Sequence, residues 1–309
     1  TFAGLPEKTA PSRIPSSQTL LLPPRAVAAD ETRRIEKGLP RRQPVRPPVA
    51  EAPAAKTGPV ERASAASTPA ARPSPERPRI AIVIDDMGFD RINSARAVRL
   101  PPEVTLAYLP FAPDVARQVR RARLKGHPVM LHLPMEAPDH GGKPGMNVLS
   151  VASGPEELRR RLTDILGRFG GYTGVNNHMG STFTRDRARM NIVMSELRRR
   201  GLFFLDSRTS GSSIGAAAAA DAGIAHATRD VFLDHEPDPK KIRARIAETE
   251  RIAREAGQAI AIGHPRTATM NAIAPWLWGL KARGFDLVRL DALLTRVERK
   301  KLAQVRTAE

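Results

Sequence analysis

Four of the seven histidines, His132, His178, His235 and His264, stand at the far ends of short apolar runs. Another such run, Ile80-Ala81-Ile82-Val83-Ile84, leads directly into Asp85-Asp86-Met87-Gly88. Imidazole nitrogens and carboxylates are a donor set for zinc or a similar divalent ion, with one position left open for water. They are also the side chains that most often move protons in catalysis. A carboxylate pair leaving an apolar core is costly to bury without a cation or hydrogen-bond donors. Other polar groups occupy matching places: Glu136 after His132, Asn177 beside His178, and Asp206 and Arg208 after Phe203-Phe204-Leu205. For Arg208 two roles stay open, holding an anionic group or pairing with Asp206. His127 and His226 open apolar runs and His140 lies among loop residues. Cysteine is absent, which excludes a thiolate nucleophile, a disulfide framework and a thiolate metal site.

These groups need a frame that brings distant positions together. Apolar runs predict strands at 79–84, 104–109, 127–133, 172–176, 203–206, within 224–233, at 258–263 and at 285–290. Amphipathic stretches between them predict helices at 91–99, 114–125, 155–169, 185–200, 216–220, 239–256 and 267–283, with Asp114 as an N-cap and Gly126 as a C-cap. Seven or eight such units in series predict an α/β fold, a distorted (β/α) barrel, with an open doubly wound sheet as the alternative. In either architecture chemistry gathers at the carboxyl ends of the strands, where the polar groups fall. No strand is followed by a glycine-rich dinucleotide or phosphate fingerprint.

Fifteen of the 28 prolines precede Arg79, in a stretch otherwise rich in Ala, Ser, Arg and Glu. Such a composition buries too little apolar surface to offset ordering entropy, so residues 1–78 are expected to form a disordered tether, with a partner-binding arm as the alternative. The barrel domain is expected over 79–297 and a basic tail over 298–309. The chain opens at Thr1, which suits a signal or anchor lying upstream and a periplasmic or envelope-associated place, with an envelope protein partner reached through the tether. Net charge is +18. The arginines cluster on expected helix faces, and two Tyr, two Trp and nine Phe supply few stacking platforms, so specific nucleic-acid binding is not expected. Charge-driven binding of nucleic acid is the weaker alternative.

Five segments, taken in order, resemble the divergent polysaccharide deacetylases over residues 79–297. They are Ile84-Asp85-Asp86-Met87-Gly88, Leu131-His132-Leu133-Pro134-Met135-Glu136, Asn176-Asn177-His178-Met179-Gly180-Ser181, Phe204-Leu205-Asp206-Ser207-Arg208 and Ile262-Gly263-His264-Pro265-Arg266. That family is similar in turn to the carbohydrate esterase polysaccharide deacetylases, which use a distorted barrel and a divalent metal. The resemblance implies Asp85 as catalytic base, Asp86 as first metal ligand, His132 as metal histidine and His264 as general acid. Where those esterases carry a second metal histidine four residues after the first, this chain has Glu136. Their Arg-Pro-Pro-Tyr motif is missing, and Asn177-His178-Met179-Gly180 stands at the next strand end. His178 is therefore the expected third ligand and Glu136 the alternative. The implied activity is zinc-dependent removal of acetyl from an N-acetylated glycan or peptidoglycan. Asn177, Asp206, Arg208, Glu136 and His235 are the expected substrate contacts, on their places at the strand ends. A catalytically silent glycan-binding or envelope scaffolding module with the same barrel is the rival reading.

Overall fold

Period-two alternation assembles the sheet. In β1 (Arg79–Met87), Ile80, Ile82 and Ile84 enter one buried cluster, while Ala81 and Val83 enter a second. A strand apolar on both faces has to be covered on both faces. The computed structural model describes residues 76–138 and 147–294. The expected tether, except for residues 76–78, and the expected basic tail lie outside the described residues.

After β1 come α1 (Arg91–Ala97), β2 (Thr105–Tyr108), α2 (Val115–Leu124), β3 (Val129–Met135), α3 (Pro155–Leu166), β4 (Gly174–Met179) and α4 (Arg187–Arg199). Then follow β5 (Phe203–Asp206), α5 (Gly215–Asp221), β6 (His226–Thr228), β7 (Val231–Phe232), α6 (Pro239–Ala256), β8 (Gln258–Gly263), α7 (Thr267–Gly279) and β9 (Asp286–Leu287). The strands pair in parallel in the order β6-β5-β4-β3-β2-β1-β8-β7, with β9 against the start of β1. This is the order of a barrel, since a doubly wound sheet reverses at a switch point. The sheet is a curled half-barrel, and β6 and β7 are its two edges.

Both edges come from the stretch expected as a single sixth strand. There β6 bonds to β5 and β7 to β8. The Arg229 amide donates to the Asp206 carbonyl at 3.0 Å, and the next amide, Asp230, donates to the Ile260 carbonyl at 2.9 Å. One short crossing therefore satisfies backbone groups of both edges, as buried main-chain groups require.

Other boundaries move for local reasons. The β3–β4 ladder continues through Pro134↔His178 and Met135↔Met179, so β4 outlasts the expected end at residue 176. Asp114 stands at the N-cap of α2 as expected, but it sits at φ 54° and makes no side-chain cap bond, because its carboxylate pairs with Arg91 and Arg117 instead. α7 stops at Gly279, and a 3₁₀ turn at Lys281–Arg283 follows. No helix among the described residues is long and apolar enough to cross a membrane.

A buried carboxylate ties the last helices together. Glu250 on α6 accepts from Trp276 Nε1 at 2.9 Å and from Arg283 Nε and Nη2 at 2.7 and 2.9 Å. Burial alone would raise its pKa, but the Arg283 and Trp276 bonds outweigh burial and hold it below the ordinary value. Its contribution is therefore whole above the ordinary glutamate range and fades as pH falls through the lowered folded value. Glu250→Ala should cost about 2 kcal/mol, because two donors lose a charged acceptor. For a domain of this size the melting midpoint should fall by roughly 4–8 °C. Glu250→Gln, which keeps one acceptor, should fall less. Equal midpoints for wild type and Glu250→Ala would contradict this account.

Candidate metal centre

The residues expected at strand ends meet because of parity. Ala81 and Val83, Met130, Phe203 and Leu205, and Ile260 and Ile262 all belong to the buried cluster on one face of the sheet. Successive side chains alternate faces, so the same faces run on to Asp85, His132, Ser207 and His264. Asn176, the ladder partner of His132, lies on β4 beside them, with His178 two residues further on.

Alternation should send Asp86 away from Asp85. Instead the β1–β2 register slips between Ile84 and Met87, and Asp86 sits at φ 50°. This bulge re-aims the strand end so that both carboxylates face one cluster. Met179 (φ 51°) and Arg208 (φ 52°) bear the same left-handed strain just past His178 and Ser207. Such residues cost on the order of 1–3 kcal/mol each and concentrate at functional sites.

Asp86 Oδ1 lies 2.8 Å from His178 Nδ1 and 3.2 Å from His132 Nε2, and the two ring nitrogens are 3.2 Å apart. Tetrahedral zinc bonds of about 2.0–2.2 Å would separate neighbouring donors by roughly 3.3–3.5 Å, close to this spacing. Asp86 Oδ1 is buried, and the two histidine nitrogens are its close polar neighbours. Three potential donor atoms converging within 3.2 Å of one another fit a divalent cation. Asp85, Asp86 and His264 form a second group of potential ligands that shares Asp86.

Distances and hydrogen bonds separate the two groups. His264 Nδ1 is 2.8 Å from Asp234 Oδ1, and Asp234 Oδ2 also accepts from the His264 amide and from Thr269 Oγ1. Burial would lower the His264 pKa, but the Asp234 bond and the charges of Asp85, Asp234 and Asp86 raise it to about 9. Burial lowers the His132 pKa, but Asp85 and Asp86 raise it above the ordinary value as well, so it is geometry that divides the roles. The tighter Asp86–His132–His178 set fits the metal, and His264, with Nδ1 taken up by Asp234, fits proton transfer. His264 Nε2 is 3.4 Å from Asp85 Oδ1. Burial raises the Asp85 pKa above the ordinary aspartate value, more than His132 and His264 lower it. Asp86 moves the opposite way, because His132 and His178 outweigh its burial. Asn176 Nδ2 bridges Asp85 Oδ2 at 3.4 Å and Ser207 Oγ at 3.1 Å.

Several expected substrate contacts are placed elsewhere. Asn177 and Asp206 have the opposite strand parity and are almost fully buried. Asn177 receives the Ser207 amide and donates to the Met179 carbonyl; Asp206 receives the Arg208 amide, the Ser213 hydroxyl and the Ala216 amide. Both hold site loops. Glu136 receives Ser150 Oγ and the Val151 amide and belongs to neither group of potential metal ligands. His235 is exposed, with its ring 5.5 Å from Phe232. Arg208 is exposed at the end of β5, its carbonyl held by Arg229. Sequence reasoning passed over Asp234, Asn176, Ser207 and Arg229. Parity along the strands marks Asn176 and Ser207, whereas Asp234 stands beside His235, the more conspicuous residue of Asp234-His235-Glu236.

The profile of the family described as divergent polysaccharide deacetylase matches residues 82–294. An uncharacterized protein of Escherichia coli, YibQ, is 34% identical over 216 residues, which cover 70% of this chain and 67% of that protein. An uncharacterized protein of Haemophilus influenzae is 32% identical over 208 residues, covering 65% of this chain and 72% of its own length. The crystal structure of an uncharacterized protein from Agrobacterium tumefaciens has a TM-score of 0.68 and 32% identity, covering 71% of this chain and 89% of that one.

Proposed function

Because the chain belongs to the divergent polysaccharide deacetylase family, we propose that it is a metal-dependent hydrolase that removes acetyl groups from an N-acetylated polysaccharide or cell-envelope glycan. The observation that carries this reading is the convergence of Asp86, His132 and His178 beside the Asp85–His264 pair. A divalent ion held by Asp86, His132 and His178, zinc by the chemistry of the donors, would supply Lewis acidity toward the acyl carbonyl and the attacking water.

The chain's own residues divide the proton work. Asp85, its basicity raised by burial, takes the proton of the attacking water. His264, protonated at neutral pH, gives its Nε2 proton to the amine as the carbon–nitrogen bond breaks. Asp234 fixes the imidazole by its Nδ1 contact and keeps Nε2 facing Asp85. Asn176 holds Asp85 and Ser207 at the floor. A periplasmic or envelope-associated place belongs to the same proposal, since that is where such glycans lie.

Two measurements on the purified protein test the reading. Metal analysis should find one divalent ion per chain, and acetate should be released from N-acetylated chito-oligosaccharides or peptidoglycan. Metal without acetate release from either substrate would favour the silent binding module.

A further inference from the structure

Arg229 is a cation that the mechanism does not use. It lies on the crossing between β6 and β7, on the parity of Ala225 and Ala227, which pack against the inner cluster. Its Nε donates to the Ser207 carbonyl at 2.6 Å and its Nη2 to the Arg208 carbonyl at 2.8 Å. The guanidinium stacks on Phe232 at 4.7 Å, and the Phe232 ring is 5.3 Å from that of His264. Arg229 thus spans the wall from the Ser207 floor to the general acid, fixed in place before any ligand arrives.

No carboxylate pairs with it among the described residues. The acids near enough to act on it are Asp85, Asp206 and Asp230. Asp85 belongs to the proton pair, Asp206 holds the β5 loop, and Asp230 accepts the Ile260 amide at 2.8 Å. Burial holds the Arg229 pKa below its ordinary value, Asp85 opposes that, and the like charge of Arg208 adds to the lowering. The Arg208 guanidinium itself makes no hydrogen bond or ion pair among the described residues, although the chain bears left-handed strain at that position. Asp230 feels both guanidiniums, but neither makes a close ion pair among the described residues. Two neighbouring guanidiniums in that state, one of them half-buried, are a ready receptor for an anion.

We infer that Arg208 and Arg229 form an anion subsite beside the metal centre, so that the preferred ligand is an acylated sugar carrying an acidic group close to the acyl group. A carboxylate and a phosphate share the recognising chemistry. The inference rests on the deacetylase reading for the sugar and is independent of it for the anion.

The test is equilibrium binding of three probes to the full zinc-loaded chain: acetylated chitotriose, the same trimer with one lactyl carboxylate, and the trimer with one 6-phosphate. At least one acidic trimer should bind about 10-fold tighter than the neutral one, the scale of a hydrogen bond to a charged group; the probe with the larger advantage names the anion. Arg208→Gln and Arg229→Gln should each remove most of that advantage. Arg208→Gln keeps the test open if the loss of two carbonyl contacts unfolds Arg229→Gln. Equal binding of all three probes, or variants that weaken all three alike, would overturn the subsite. An acidic advantage without acetate release would sink the hydrolase reading alone; acetate release with the same KM for neutral and acidic trimers would sink the subsite alone.

Discussion

Alanine at Asp86, His132 or His178 should strip the protein of its divalent metal, while Asp85→Asn and His264→Ala keep the metal and lose turnover. The first three each remove one of three converging donors. Changes one layer further out already weaken metal sites by about 10–100-fold, so loss of a ligand should exceed that. Asp85 and His264 move protons, and such groups contribute ~10²–10⁴-fold to rate. Metal content by elemental analysis and acetate release on the same samples give the pattern. The alternative group of Asp85, Asp86 and His264 predicts the reverse for His132, His178 and His264. If Glu136→Ala loses metal and His178→Ala does not, the third ligand is Glu136. Unchanged metal in all five variants would remove the centre altogether.

The second large effect is expected at a residue that touches no metal ligand directly. Asp234→Asn should lower kcat by roughly 10²-fold or more, because the general acid loses the carboxylate that orients it. The pH profile carries the sharper signature. His264 works protonated, and its pKa stands at about 9 while Asp234 is charged. Without that charge the pKa falls toward the ordinary 6.5 of histidine, so the alkaline limb of activity should move to lower pH. Metal content should stay at the wild-type level. An alkaline limb that does not move would mean that His264 is not the acid, whatever the loss in rate.

Much of this site was legible in the chain because a parallel sheet sends every strand's carboxyl end to the same side. Once apolar runs mark the strands, the residues just beyond them are neighbours by topology alone, and Asp85, His132, His178 and His264 follow. The same rule, carried one step further as parity, separates Ser207 from Asp206 and Asn176 from Asn177. Periodicity also marks α6 and β8 at the bounds they adopt, Pro239–Ala256 and Gln258–Gly263, since Asp238 caps the helix start and Gly257 ends it at φ 76°.

What only the tertiary structure decided are the matters that depend on contacts between strands. The bulge at Asp86 arises from pairing with β2, and no local pattern announces that adjacent aspartates will share a face. The length of β4 depends on the ladder to β3. The split of residues 224–233 depends on two sheet edges far apart in sequence. The partner of His264 comes from thirty residues earlier, and that of Glu250 from thirty-three later. A strand's alternation is a property of its own backbone, and so can be read along the chain. Register, bulges and long-range hydrogen bonds are properties of two segments at once, and become definite only when the fold brings them together.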